Sequence, residues 1–234
     1  MMMASEGTAV THRFPDRHPV ASAAWVGPVG ATIVGIVLVG MGRSLTDGLL
    51  LGPLGHWDES VNDWLVAQRA PPLNDIAHIG SLIATTQSII VVAAACLAGF
   101  LVRRRFREAG LMVVALAVEA SVFLVTTLVV ARDRPTVPRL EPSPPTSSFP
   151  SGHTAAAIAL YVSLALALTP LVHRRWVRVA IWALAIAIPA FVALSRVYAG
   201  MHHVTDVGGS LVLGVGALAT AVVAVSWPRA EDHT

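Results

Sequence analysis

Apolar positions along this chain neither alternate nor repeat at helical spacing for most of its length. They gather into six nearly continuous runs, at 23–41, 87–102, 110–130, 154–172, 177–194 and 204–225. Each run approaches the roughly 20 residues a helix needs to cross a hydrocarbon core, which predicts six membrane spans. The shortest, 87–102, would borrow a turn from the residues before it. The first could be read as a signal peptide. A long polar tail precedes it and no small-x-small cleavage site follows, so a retained span is expected. Between the first two runs the pattern changes. Trp57, Val61, Trp64 and Leu65 fall on one face at helical spacing, which predicts an amphipathic helix with its tryptophans at the membrane–water interface. Pro71-Pro72 should end it, and residues 73–85 suit a second short helix leading into the membrane. The expectation is an all-α, six-span transmembrane helical bundle with an interfacial amphipathic segment between spans one and two. One domain covers 20–228, flanked by polar tails at 1–19 and 229–234.

The arginines orient this bundle. Arg103, Arg104, Arg105 and Arg107 separate spans two and three, and Arg174, Arg175 and Arg178 separate spans four and five. The positive-inside rule makes both loops cytoplasmic. With six spans both termini are then cytoplasmic, and residues 131–152 and 195–203 lie on the outer face of the cell membrane. Composition agrees with lipid as the solvent: 55% of residues are hydrophobic and 13% charged, against about 25% charged in a soluble domain. A net charge of +2 with no basic block gives no reason to expect a nucleic-acid partner. All 16 basic residues are arginine. The single cysteine, Cys96, sits in an apolar run, reads as buried filler and excludes an intramolecular disulfide.

Nearly all the unusual chemistry falls in the two outer loops. The first carries Arg132-Asp133-Arg134-Pro135 and then Phe149-Pro150-Ser151-Gly152-His153 at the start of span four. The second carries Ser195-Arg196, then His202 and Asp206 at the start of span six. A helix starting at Pro150-Ser151-Gly152 offers unpaired N–H groups and a positive dipole end to an anion, with Gly152 allowing close approach. Arginine forks match phosphate oxygens. His202 and Asp206, four residues apart, can meet on a helix, so that the carboxylate fixes one ring nitrogen and frees the other to attack. His153 could protonate a leaving alkoxide. Together these predict phosphoryl transfer through a phosphohistidine, with arginines stabilising the transition state.

On these motifs the chain resembles the type 2 phosphatidic acid phosphatase family, whose signature reads Lys-x6-Arg-Pro, Pro-Ser-Gly-His and Ser-Arg-x5-His-x3-Asp. Arg134-Pro135, Pro150-Ser151-Gly152-His153 and Ser195-Arg196-x5-His202-x3-Asp206 match in order and at span ends. The likeness extends over roughly residues 57–226. It implies a membrane lipid phosphatase with His202 as nucleophile, Asp206 as its orienting partner and His153 as general acid. Arg134, Arg196, Ser151 and Gly152 would hold the phosphate, with no metal or other cofactor. The substrates implied are a polyprenyl diphosphate, phosphatidic acid or phosphatidylglycerol phosphate. One departure is plain: the signature lysine falls at Thr127. Arg132, close by, is the expected compensation and a further candidate for phosphate contact. The alternative that this departure supports is a weakly active or non-catalytic lipid-phosphate binding or transport protein.

Other residues have plainer expected roles. Arg139 should contact a headgroup or its own loop, and His203 should point away as a bystander. A His/His/Asp zinc site is conceivable from residue types, but surrounding arginines would repel the cation. Glu119, inside span three, is expected to be a protonated or hydrogen-bonded packing residue facing the bundle. Pro189 should kink span five. Gly208-Gly209 and Gly214 with Gly216 should allow helices to approach closely.

Overall fold

The computed structural model describes residues 20–48, 52–142 and 145–226, with side chains from residue 24. The tails expected at 1–19 and 229–234 lie outside the described residues. Within them the chain forms α1 (Val20–Thr46), α2 (Pro53–Ala67), α3 (Pro71–Ile83), α4 (Thr86–Val102), α5 (Phe106–Val129), α6 (Gly152–Leu168), α7 (Arg175–Tyr198) and α8 (Val204–Ser226). A single 3₁₀ turn, Thr169–Leu171, extends α6.

Helices α1, α5, extended α6, α7 and α8 are each long and apolar enough to cross a membrane. α3 and α4 meet at a 49° bend and supply a sixth span only if the pair counts as one. The chain is therefore a multi-pass helical membrane protein with five or six spans. The break has a local cause. Thr85 stands extended as the N-cap of α4, and its hydroxyl accepts the Ser88 N–H at 3.2 Å, so a new helix starts there rather than continuing α3. Pro71-Pro72 does not simply stop α2, which has ended at Ala67. It opens α3, where a missing N–H costs nothing.

α8 lies at the centre, packed on α1, α5 and α6, while α7 packs on α6 and α3. Lipid tails are as apolar as leucine, so close van der Waals fit must hold these helices together. The buried face of α8 is accordingly rich in small residues, with Gly209, Gly214, Ala217, Ala221 and Ala224 beside Leu213 and Leu218. A Cβ on Gly209 would stand 2.3 Å from the Phe149 ring, and one on Gly214 would stand 2.5 Å from Ile158. Gly208 faces open space but for Met41 at 4.0 Å, so the close packing expected of the pair belongs to Gly209. α7 runs through Pro189 as one helix. Cys96 packs at the edge of a core built from α4, α5, α6 and α8, and Glu119 is buried in the bundle.

α2 buries a polar stripe that its tryptophan spacing does not reveal. Leu65 is buried, but Trp57 and Trp64 are 47% and 62% exposed, and the inward stripe is Asp58, Asn62 and Leu65. These positions also share one helical face. A polar face turned inward needs partners, and Asp58 finds them at the ends of α5 and α8.

Candidate active site

The C-terminal ends of α5 and α7 and the N-terminal ends of α6 and α8 share one end of the bundle. The arginine-rich segments 103–107 and 174–178 lie at the other. The first group of ends brings Arg134, His153, Arg196, His202 and Asp206 together, as expected from the motifs.

His202 is buried. Its Nδ1 lies 2.7 Å from the carbonyl oxygen of Ser148 and 3.7 Å from Asp206 Oδ2. A carbonyl can only accept, so Nδ1 carries the proton and Nε2 the lone pair. The nearest orienting group is thus a main-chain carbonyl, with the expected Asp206 carboxylate behind it. Burial pushes the His202 pKa down. Asp206 opposes this, and the charges of Arg196 and Arg134 add to it. The downward shift favours the neutral ring, whose Nε2 lone pair is left without a partner from Ser148 or Asp206.

Asp206 is fully buried and has other partners. Its Oδ2 accepts the His203 main-chain N–H at 2.8 Å, half of a capping box at the start of α8. Its Oδ1 accepts from Arg132 Nη1 at 2.5 Å. His203 is no bystander: its Nε2 meets Glu59 Oε1 at 3.1 Å and its Nδ1 lies 3.4 Å from Asp206. Burial would lower its pKa, but the two carboxylates outweigh that and raise it.

Arg134 and Arg196 have the signature of an anion site. Arg134 Nη1 donates to the Met201 carbonyl at 2.8 Å. Arg196 Nη1 donates to Ser81 Oγ at 2.9 Å and to Glu141 Oε2 at 2.5 Å. The Nε–H of each is buried without an acceptor in the protein. Burial, and then the charge of Arg196, push the Arg134 pKa down, with Asp206 opposing. Two guanidinium groups, that of Arg196 buried and that of Arg134 half-buried, which repel each other and keep donors in reserve, favour an anion between them. Glu141 is held below the usual carboxylate range. Its burial works against this, but the hydrogen bond from Ser81 and the charge of Arg196 prevail.

α6 supplies the main-chain donors. Gly152 opens the helix, and a Cβ there would meet the Phe123 ring at 2.8 Å. Ser151 caps the helix, its Oγ bonded to Thr154 Oγ1 at 3.1 Å and its carbonyl accepting from Ser210 of α8 at 2.8 Å. These bonds fix the start of α6 against α8. His153, on the first turn, shares its electrostatic surroundings with Arg196, His202, Glu141 and Arg134.

Two candidates sit differently. The Arg132 guanidinium is clasped by Asp58 at 2.9 Å and Asp206 at 2.5 Å, so its donors serve carboxylates of the protein. Thr127 spends its hydroxyl on the Phe123 and Leu124 carbonyls of its own helix, at 2.9 and 3.0 Å. It lies one turn beyond Phe123, on the face of α5 that meets Gly152.

Two arginines and a histidine gathered where four helix ends meet, at one end of a membrane bundle, define a class: multi-pass helical membrane proteins with a polar, cationic cluster at one end of the spans. The comparisons narrow it. The PAP2 superfamily model matches residues 109–230. Phosphatidylglycerophosphatase B of Bacillus subtilis (strain 168) is 31% identical over 166 residues, covering 68% of this chain and 78% of the relative. The crystal structure of a transmembrane PAP2 type phosphatidylglycerolphosphate phosphatase from Bacillus subtilis superposes with a TM-score of 0.69 at 24% identity. That match covers 84% of this chain and 94% of the other. The chain belongs to the PAP2 superfamily.

Proposed function

We propose that this protein is an integral membrane phosphatase that hydrolyses a lipid phosphate or diphosphate through a phosphohistidine. The observation that carries the reading is the pair of buried Nε–H donors of Arg134 and Arg196, without protein acceptors, beside a histidine tautomer that leaves Nε2 free to attack. In the first step Nε2 of His202 attacks phosphorus, the bond to the leaving oxygen breaks, and His153 gives that oxygen its proton. In the second, His153 takes a proton from water, the water oxygen attacks phosphorus, and the N–P bond breaks to release inorganic phosphate. Arg134, Arg196, the Ser151 region and the N–H groups at Gly152 bind the oxygens on which charge develops. Asp206 supports the imidazolium character that His202 gains. Arg132 acts behind Asp206.

These steps are proposed without a metal: the arginines and the helix start supply the positive charge that the phosphoryl oxygens need. We place the site on the outer face of the cell membrane, both termini in the cytoplasm and α2 along the interface, on the support of the arginine-rich segments at the far end of the bundle. The name of the Bacillus relative makes phosphatidylglycerol phosphate the first substrate to try, followed by phosphatidic acid and polyprenyl diphosphate.

Purified protein should release phosphate from at least one of these lipids, keep that activity in EDTA and lose it to vanadate, a phosphate-like anion. Inactivity on the whole panel would favour the binding or transport reading. Loss in EDTA would sink the metal-free mechanism. The position of Thr127 adds a second test. Thr127→Lys should tighten vanadate inhibition about tenfold, which corresponds to one charge-assisted hydrogen bond of about 1.5 kcal/mol. An unchanged inhibition constant would show that position 127 does not reach the phosphate.

A further inference from the structure

The steps above give no part to one deeply buried ionisable side chain. Asp58 is 1% exposed and comes from α2, outside the segment matched by the family model. A carboxylate so buried is costly unless it is paired. Oδ2 accepts from Arg132 Nη2 at 2.9 Å and from the Thr205 hydroxyl, and Oδ1 accepts the Thr205 main-chain N–H at 3.1 Å. Arg132 Nη1 in turn donates to Thr205 Oγ1 at 2.6 Å and Asp206 Oδ1 at 2.5 Å. Asp58 thus reaches the first turn of α8 by two routes. It satisfies one of the N–H groups that a helix start leaves unpaired. It also shares the single guanidinium that holds Asp206.

We infer that Asp58 is a positioning residue for the phosphoryl-transfer site: through Arg132 and Thr205 it fixes Asp206, and with it the orientation and proton affinity of His202. The inference rests on the reading of His202 as nucleophile. If Asp58 were absent, the charge of Arg132 would fall wholly on Asp206, weakening its support of a protonated His202. The other charges around that ring are Asp206 and His203 from its own segment, Arg196 of α7, Arg134 of the loop before α6 and His153 of α6. α2 adds Asp58 through Arg132 and Glu59 through His203. None of these moves in sequence when Asp58 is changed.

The test uses the full-length enzyme and the lipid phosphate that it hydrolyses fastest, with activity normalised to folded protein. Asp58→Asn keeps a polar group for Thr205 but removes the charge. It should lower kcat about 10- to 100-fold, as the loss of a partner that orients a reacting side chain does, with KM within about twofold. The acid limb of kcat/KM should move down by about half a pH unit. Arg132→Gln should move that limb the opposite way, and Arg132→Gln/Asp58→Asn should turn over faster than Arg132→Gln, because it no longer leaves two carboxylates facing each other. A residue that only holds the fold together would not shift the limb in opposite directions. Parental kcat with an unmoved limb in Asp58→Asn would overturn the inference. If Asp58→Asn folds poorly, the other two variants decide, and a double variant no faster than Arg132→Gln would overturn it. His202→Ala in the same assay separates the two readings. An active His202→Ala overturns the nucleophile, whereas an inactive one beside an unaffected Asp58→Asn overturns only the role of Asp58.

Discussion

His202→Ala should reduce phosphate release by at least about 10⁴-fold, the scale on which removing a nucleophile from a covalent mechanism acts. Binding should survive. Arg134, Arg196 and the α6 N-terminus do not depend on the imidazole, so the lipid should still bind with an affinity within a few-fold of the parent. The loss belongs to kcat because the N–P bond exists only after attack. A quenched reaction with lipid labelled at the terminal phosphate should show acid-labile label on the parent and none on the variant. His202 is buried and bonded through Nδ1 to Ser148, so His202→Asn, whose amide N–H can take the place of Nδ1–H towards that carbonyl, controls for a collapsed loop. Turnover within tenfold of the parent in both variants would mean that another group attacks phosphorus, or that water does so directly.

The likeness between chain and structure is greatest where a single physical rule decides. The run at 204–225 becomes α8, Val204–Ser226, because continuous apolarity over that length admits few structures other than a membrane helix. The motif residues of the site converge because each stands at a helix end, and short connections between antiparallel spans leave those ends together. Arg134, Arg196, His153, His202 and Asp206 could therefore be placed at one end of the bundle from spacing alone.

Where distant partners choose the face, the chain by itself is silent. The tryptophans of α2 mark a face for the membrane–water interface and leave the inward face open. That face carries Asp58 and Asn62, because Asp58 meets Arg132, 74 positions away, and Thr205, 147 away. Hydrophobic spacing within nine residues contains no trace of those partners. The recurrence of Asp58, Asn62 and Leu65 at spacings of four and three marks a second face, roughly a third of a turn from the tryptophan pair, without naming what it meets. The same limit applies to Ser148 and Glu141. Ser148 acts through its carbonyl, which every residue has. Glu141 sits in a Pro/Ser-rich loop whose path decides whether it meets Arg196 or water. Arg132 was legible as a site residue but not as the partner of two carboxylates, since one of them comes from α2.

The second large effect should fall on His153, and on the leaving group rather than the phosphate. His153→Ala should lower turnover of a lipid phosphate monoester about 10²- to 10⁴-fold, the usual worth of general acid catalysis. An alkoxide is a poor leaving group unless it is protonated as the O–P bond breaks. A soluble nitrophenyl phosphate leaves as a stable phenolate and needs no proton, so on that substrate the first step should fall far less. Phosphoenzyme should then build up, since the second step still needs His153 to take a proton from water. The proposal gives His153 this part from its place on the first turn of α6, next to Gly152. Removing it leaves His202, Arg196 and Arg134 in place, so vanadate inhibition should change little. Equal losses on both substrates, with no phosphoenzyme trapped, would make His153 a phosphate ligand and require another acid for the leaving oxygen.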